Sequence, residues 1–275
     1  MSPLLLACVF SAAILHAGWN AVLRGGKDRL WSMTLMMMAV FVASTTVIVF
    51  LPLPGKASWP YVIASALIHA AYNLSLVKTY ASGDLGQTYP VSRGSSPVLV
   101  AIGAAIFAKE ALTLMSCIGI LLVSAGILSL AFQNRNVRIT FLPAAFTTGA
   151  LIGAYTVIDG IGVRLSGGSL AYSAWMFMLW SITMPPLYLL LRKGPSSYSR
   201  AETLAALSGG LVSILAYGIV IWAMQYGEMG VVSALRETSV VFAAIIGRFF
   251  LNESLSWQRL ASCAAIATGA ACLAL

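Results

Sequence analysis

Three ionised groups sit where an apolar chain has no ordinary use for them. Arg93 lies in Tyr89-Pro90-Val91-Ser92-Arg93-Gly94-Ser95-Ser96-Pro97, and Arg236 and Glu237 lie in Ser233-Ala234-Leu235-Arg236-Glu237-Thr238, both within apolar runs. A charge at bilayer depth costs about 2.5–3.5 kcal/mol on insertion scales, so it persists where it lines a cavity or meets a partner. Arg93 is a fixed cation whose planar fork suits a carboxylate or phosphonate, while Glu237 can accept an ammonium group or carry a proton. Together they suit a solute with one acidic and one basic end. The competing role is a permanent ion pair that fixes packing, since a paired buried charge needs no ligand.

Other polar and aromatic residues recur at the spacing of one helix face, i, i+3, i+4 and i+7. Tyr89, Ser92, Arg93 and Ser96 form one stripe, and Ser233, Arg236 and Glu237 form another. His16, Trp19, Asn20 and Arg24 make a third, and His69, Tyr72, Asn73 and Tyr80 a fourth. Lipid offers such groups no hydrogen-bond partner, so they should face protein or water. For either histidine, packing between helices competes with a place in a cavity, because one neighbouring backbone or hydroxyl group satisfies a neutral imidazole. Asp159, four residues after Tyr155, reads as a cation site or proton carrier, or as an interface residue pairing locally beside Gly160, Gly162 and Arg164. Trp175 and Tyr217, and with them Trp180, fall near the middle of their runs, away from the interfacial belts where membrane aromatics collect. An aromatic cage with a carboxylate would suit an ammonium group. The expected substrate-binding set is therefore His16, Trp19, Asn20, Tyr72, Tyr89, Arg93, Tyr155, Trp175, Tyr217, Arg236 and Glu237.

The elements that must position these residues are membrane spans. Of 275 residues, 60% are hydrophobic and only 9% charged, with a mean hydropathy of +0.91, whereas soluble domains run near 25% charged. Apolar runs of about 20 residues, the length that crosses ~30 Å of hydrocarbon, follow one another with almost no soluble sequence between them. They fall near 3–23, 30–51, 59–80, 86–108, 112–132, 140–164, 169–191, 202–226, 229–250 and 255–274. The expected fold is an all-α integral membrane protein of about ten transmembrane helices. The first run lacks a basic leader and a small-x-small cleavage site, so it reads as a retained span.

The net charge of +8 does not point to nucleic acid, because the basic residues stand singly or in threes at the ends of apolar runs. Cys8, Cys117, Cys263 and Cys272 lie within apolar segments without ligand spacing, so neither a disulfide framework nor a metal site is expected. No phosphate-binding loop or paired-histidine zinc helix occurs, and no cofactor is expected. Ser95 and Ser96 beside Arg93 have no histidine recognisably placed to activate them, which argues against an enzyme. The small residues of spans five and ten, among them Gly119, Gly126, Ala261, Ala265 and Gly269, read as close packing or as the seam of a homodimer. Pro90, Pro97, Pro185 and Pro186 mark expected kinks inside spans.

The chain also repeats itself. Gly83-Asp84-Leu85-Gly86, Arg93 and Lys109-Glu110-Ala111-Leu112-Thr113 return as Gly227-Glu228-Met229-Gly230, Arg236-Glu237 and Asn252-Glu253-Ser254-Leu255-Ser256. The alignment sets Ser92 against Arg236 and Arg93 against Glu237. The expected units are 1–137 and 138–275. Each holds about five spans, an odd number, so the second enters the membrane in the opposite direction and a site is expected near the midplane between them.

These spans, the duplication and the two motif copies resemble the drug/metabolite transporter superfamily in its two-repeat EamA branch, over essentially the whole chain. The resemblance implies a transporter of small organic metabolites in a membrane, here expected to be a bacterial inner membrane. His16-Ala17-Gly18-Trp19-Asn20 also resembles, more loosely, members associated with phosphonate use. With no ATP-binding domain, the energy is expected to come from a solute or proton gradient. The expected function is secondary transport, as importer or exporter, of small organic solutes such as amino acids or other zwitterions and amines. A carrier or flippase for a lipid-linked headgroup, or an intramembrane enzyme, are the alternatives. Basic residues at 24, 27, 29, 135, 138, 192, 193 and 200 outnumber those on the opposite face, which places both termini outside the cytoplasm, whereas the resemblance implies termini inside. Orientation stays open between the two.

Overall fold

The computed structural model describes residues 1–81, 85–132, 142–192, 194, 198–250 and 256–275, and their side chains except 77–81, 85–87 and 246–250. The Gly83-Asp84 turn, Arg135, Arg138, Lys193, Asn252-Glu253-Ser254-Leu255 and the Tyr80 side chain thus lie outside the described residues.

Twelve α-helices, with one short 3-10 turn (Lys56–Ser58), build the described chain, and no strand occurs among the described residues. They are α1 (Pro3–Gly25), α2 (Arg29–Ile48), α3 (Trp59–Ala81), α4 (Leu85–Phe107), α5 (Leu114–Ala131), α6 (Leu142–Leu165), α7 (Ser169–Ser181), α8 (Met184–Leu191), α9 (Arg200–Tyr226), α10 (Met229–Glu237), α11 (Ser239–Phe250) and α12 (Trp257–Ala274). Among the described residues, 7 stretches are long and apolar enough to cross a membrane, one of them running through α7 and α8. With α3, the α10–α11 pair and α12, ten span-length stretches follow the sequence pattern. The burial pattern is inside-out: Leu67, Ile106, Leu121, Leu190 and Leu215 are exposed, while Arg93, Asp159, Arg236 and Glu237 are buried. This is an integral membrane protein, because only lipid offers such an outer surface a favourable solvent.

Two spans expected to be continuous are broken. The seventh stops at Ser181 and restarts at Met184, where Pro185 and Pro186 open α8 as its first-turn residues; proline is tolerated there because its missing N–H has no helical partner anyway. The ninth breaks at Thr238 without proline. The Thr238 hydroxyl donates to Leu235 O at 2.6 Å and its N–H donates to the same carbonyl at 3.1 Å, which tightens the last turn of α10 directly after Glu237. Pro90 and Pro97, by contrast, lie within an unbroken α4.

The repeated motif has a structural meaning at both ends. Thr113 and Ser256 are the N-caps of α5 and α12, their hydroxyls accepting from Ser116 N and Arg259 N. Lys109, at φ 55°, closes α4 in the left-handed conformation, so that Glu110 N donates back to Ala104 O at 3.2 Å. Glu110 then clamps the fold. Its Oε1 accepts from Arg164 at 2.6 Å and its Oε2 from Met229 N at 2.9 Å, at the start of α10. Arg164 also donates to Met224 O and Gly227 O, carbonyls left open at the end of α9.

Helix contacts recur when the two halves are exchanged. α1 packs on α9 and on the α10–α11 pair, as α6 packs on α3 and α4. Contacts between corresponding helices run antiparallel. A methyl group added to Gly119 would lie 2.9 Å from Gly269 O, and one added to Gly126 would lie 3.1 Å from Ser262 O, which orders α5 and α12 in opposite directions. Likewise Arg93 meets Glu237 while Gly230 meets Ala101, so α4 and α10 also oppose each other.

Candidate functional site

The buried charges form one cluster in which two cations share one oxygen. Glu237 Oε1 accepts from Arg93 at 3.2 Å and from Arg236 through Nε at 3.2 Å and a terminal nitrogen at 2.9 Å. Arg93 also approaches Tyr72 Oη at 3.4 Å and lies 5.5 Å from the centroid of the Tyr89 ring. All three charged groups are at most 2% exposed. Glu237 Oε2 is buried without a hydrogen-bond partner. Two guanidiniums against one carboxylate leave the cluster one positive charge in excess, and low-dielectric surroundings make that charge felt strongly. The break after Glu237 places Arg236 in the last turn of α10, where the helix dipole favours a cation.

Arg236 is the member of this cluster that reaches the central cavity. That space, about 40 Å³, is lined by His16 and Trp19 of α1, Met33, Met36 and Met37 of α2, His69, Tyr72 and Asn73 of α3, Tyr155 of α6, Trp180 of α7, Ser213 and Tyr217 of α9, and Arg236. At roughly 10–15 Å³ for each water, it holds about three waters in this conformation. Its aromatic wall is continuous: His69 stacks on Tyr155 at 3.8 Å and contacts Trp180 and Tyr217 at 4.6 and 5.3 Å between centroids.

Several polar atoms here have no partner. Trp19 Nε1 donates to His16 Nδ1 at 3.2 Å, so the bond assigns the imidazole proton to Nε2, which is buried and unpartnered. Both amide atoms of Asn73 are buried and unpartnered, although the residue is only 1% exposed. Trp180 Nε1 is unpartnered as well. Such groups are costly in a folded core and call for an explanation such as a bound ligand. The unpartnered set is rich in donors, His16 Nε2, the Asn73 amide and Trp180 Nε1, and Arg236 lines the same cavity.

The structure thus brings His16, Trp19, Tyr72, Tyr155, Tyr217 and Arg236 around one cavity. Arg93, Glu237 and Tyr89 stand behind it, joined through Arg236. Asn20 is buried next to the wall, donating to His16 O at 3.0 Å. Trp175 departs from the sequence expectation, for its ring packs against Trp59 at 5.1 Å and lies outside the cavity lining. Asp159 pairs with tyrosines of two neighbouring helices. It does not pair with Arg164, which is held by Glu110; it accepts from Tyr172 at 2.9 Å and Tyr217 at 2.6 Å.

Sequence reading left Asn73, His69 and Trp180 out of the binding set, although the first two lay on a recognised stripe and Trp180 stood beside Trp175 and Tyr217 as a cavity candidate, and it left out the methionines entirely. Met33, Met36 and Met37 give no periodic polar signal. Their only mark is the run Met36-Met37-Met38, and adaptable, polarizable side chains of this kind suit a wall that must repack.

The EamA-like transporter family matches residues 140–275, the part of the chain that carries α6 to α12. The chain belongs to the drug/metabolite transporter superfamily. It is therefore a member of a family of small-molecule transporters, and the buried cluster and cavity are to be read on that footing. Among solved structures, one crystal structure has a TM-score of 0.80 at 17% identity, covering 99% of this chain and 96% of the other; at that identity the likeness speaks for the fold alone. The comparison with curated proteins finds no match.

Proposed function

We propose that the protein is a secondary transporter of amino acids or related zwitterionic solutes, bound in the central cavity and moved by rocking of two inverted five-span repeats, residues 1–137 and 138–275. The observation that carries the substrate reading is the cluster's unbalanced charge beside unpaired donors. A solute carboxylate would offset the excess cation through Arg236 and accept from His16 Nε2 and the Asn73 amide. An amino group would face the π surfaces of Tyr155 and Trp180, or reach Glu237 Oε2. A purely cationic solute would meet the wrong sign, and an uncharged one would leave the imbalance in place.

The antiparallel pairing of corresponding helices supports the inverted repeat. When spans run along the membrane normal, an axis that relates antiparallel partners lies in the membrane plane. Arg93 and Glu237, equivalent in the duplication, touch each other, as residues beside such an axis must. A cavity of about 40 Å³ is too small for an amino acid, so its walls must part for the solute to enter and leave. The break at Thr238 next to the cluster gives the ninth span a place to bend.

A thermal-shift panel on the purified protein tests the substrate class, since a ligand that binds only the folded state raises Tm with concentration. Zwitterionic amino acids should raise it, and matched amines without a carboxylate should not. Stabilisation by the amines alone, or by none of the zwitterions, would overturn the reading.

A further inference from the structure

Asp159 is a buried charge to which solute binding gives no task. It is 0% exposed on α6, its Oδ1 accepting from Tyr172 of α7 and its Oδ2 from Tyr217 of α9. Among the described residues it makes no salt bridge, and Arg164, further along α6, is held by Glu110. Around it, α3 presents Ser65, which also faces the carboxylate, and His69, which stacks on Tyr155. Met229 of α10 abuts neighbouring Gly160. Arg236 lines the same cavity as Tyr217, and it is tied to Glu237. A carboxylate kept at bilayer depth without a cation marks a pathway or relay more often than a packing contact.

We infer that Asp159 is the proton-binding site of this transporter, loaded from the cavity through the Tyr217 hydroxyl; this rests on the transporter reading above. Both carboxylate oxygens accept in the observed arrangement, which is what the ionised form requires. Loading moves two protons over one step each. Tyr217 Oη takes a proton from cavity water while its own passes to Asp159 Oδ2, and the hydroxide left behind takes up a proton delivered from the bulk solution. The protonated acid now donates to Tyr217 Oη, so the tyrosine hydroxyl no longer points at Asp159 and is free to donate into the cavity it lines. Protonation at α6 thereby changes the hydrogen-bonding inventory that the solute meets.

Two alternatives fit less well. Glu237 as the proton site would leave two buried guanidiniums without their counter-charge, and removing one partner of a buried pair is strongly destabilising. A hard metal cation takes about six oxygen ligands, whereas Asp159 is met by three hydroxyls, two of them already within hydrogen-bond distance.

Infrared difference spectroscopy of the full chain in lipid, stepped from about pH 9 to pH 4 to pass the carboxyl range, reads the site without any substrate. A protonated-carboxyl stretch should appear and should shift on 13C labelling of aspartate but not of glutamate. It should vanish in Asp159→Asn, persist in Glu237→Gln and move in frequency in Tyr217→Phe. No titrating carboxyl band, a band that follows glutamate labelling, a band untouched by Tyr217→Phe, or one evoked by sodium at fixed pH would each overturn the inference. The labelled wild type decides the case even if a variant fails to fold. A zwitterion panel that fails leaves this result standing, so the two readings fail separately.

Discussion

Asn73 is the side chain that folding alone accounts for least. Its amide is buried with neither atom bonded, a cost of about 1–3 kcal/mol for each unpaired buried group, whereas an apolar group of the same shape is neutral or stabilising there. Asn73→Leu should therefore raise the melting temperature of the ligand-free protein while abolishing the shift given by zwitterions. A variant that is less stable, or that still responds to ligand as the wild type does, would assign Asn73 to packing. Arg236→Lys keeps the charge but loses the fork that places Nε and a terminal nitrogen on one carboxylate oxygen. It should weaken solute affinity at least tenfold, about 1.4 kcal/mol, in a titration. The sequence exposed these charges because ionised residues stand out in apolar runs. It could not tell which arginine reaches the cavity. The fold alone separates them, with Arg236 in the cavity lining and Arg93 behind it, and the threonine at the break beside Arg236 carries no boundary signal in an apolar run.

The helices were legible as elements because each must be long and apolar enough to cross lipid, and their boundaries agree with the hydropathy to within a few residues. Only the two breaks escaped. Pro185 and Pro186 pointed to the first, but Pro90 and Pro97 carry the same signal inside a continuous helix, so proline does not decide without its neighbours. The glycines of α5 and α12 were legible as close packing, and the structure supplies the contact. Gly119→Val or Gly269→Val would drive a branched side chain into the opposite backbone, and overpacking of this kind costs about 1–3 kcal/mol. Gly18→Ala meets nothing within 4 Å and, since alanine is the better helix former, should keep or raise the melting temperature in detergent. Equal melting of all three variants would refute the close approach of these helices. At the Arg164–Glu110 clamp, Glu110→Ala removes a charged bond and the acceptor of Met229 N, so a loss of about 1.5–3 kcal/mol is expected. The solvent-exposed pair of Lys27 with Glu202 is the contrast, and Lys27→Ala should cost less than Glu110→Ala in the same denaturation assay. The motif copies that mark the superfamily thus serve caps and a clamp, which is why they disclose the family and say little about the solute.

At the scale of the whole molecule, two halves read from sequence as a duplication are joined through antiparallel pairs of corresponding helices, with charged residues of equivalent position in contact near the centre. The duplication was read from the turns and acidic residues that recur in both motif copies. The cavity was not legible, since its walls come from seven helices and its methionines and tryptophans look like any apolar interior until the chain is folded. The central claim is that this cavity carries a zwitterion across the membrane through Arg236 and Asn73. Counterflow of radiolabelled amino acids in proteoliposomes tests it most directly, comparing the wild type with Arg236→Lys and Asn73→Leu. The wild type should exchange at least one zwitterionic amino acid saturably, and both variants should lose most of that exchange while remaining folded. Wild-type exchange of amines alone, or undiminished exchange in both variants, would contradict the account.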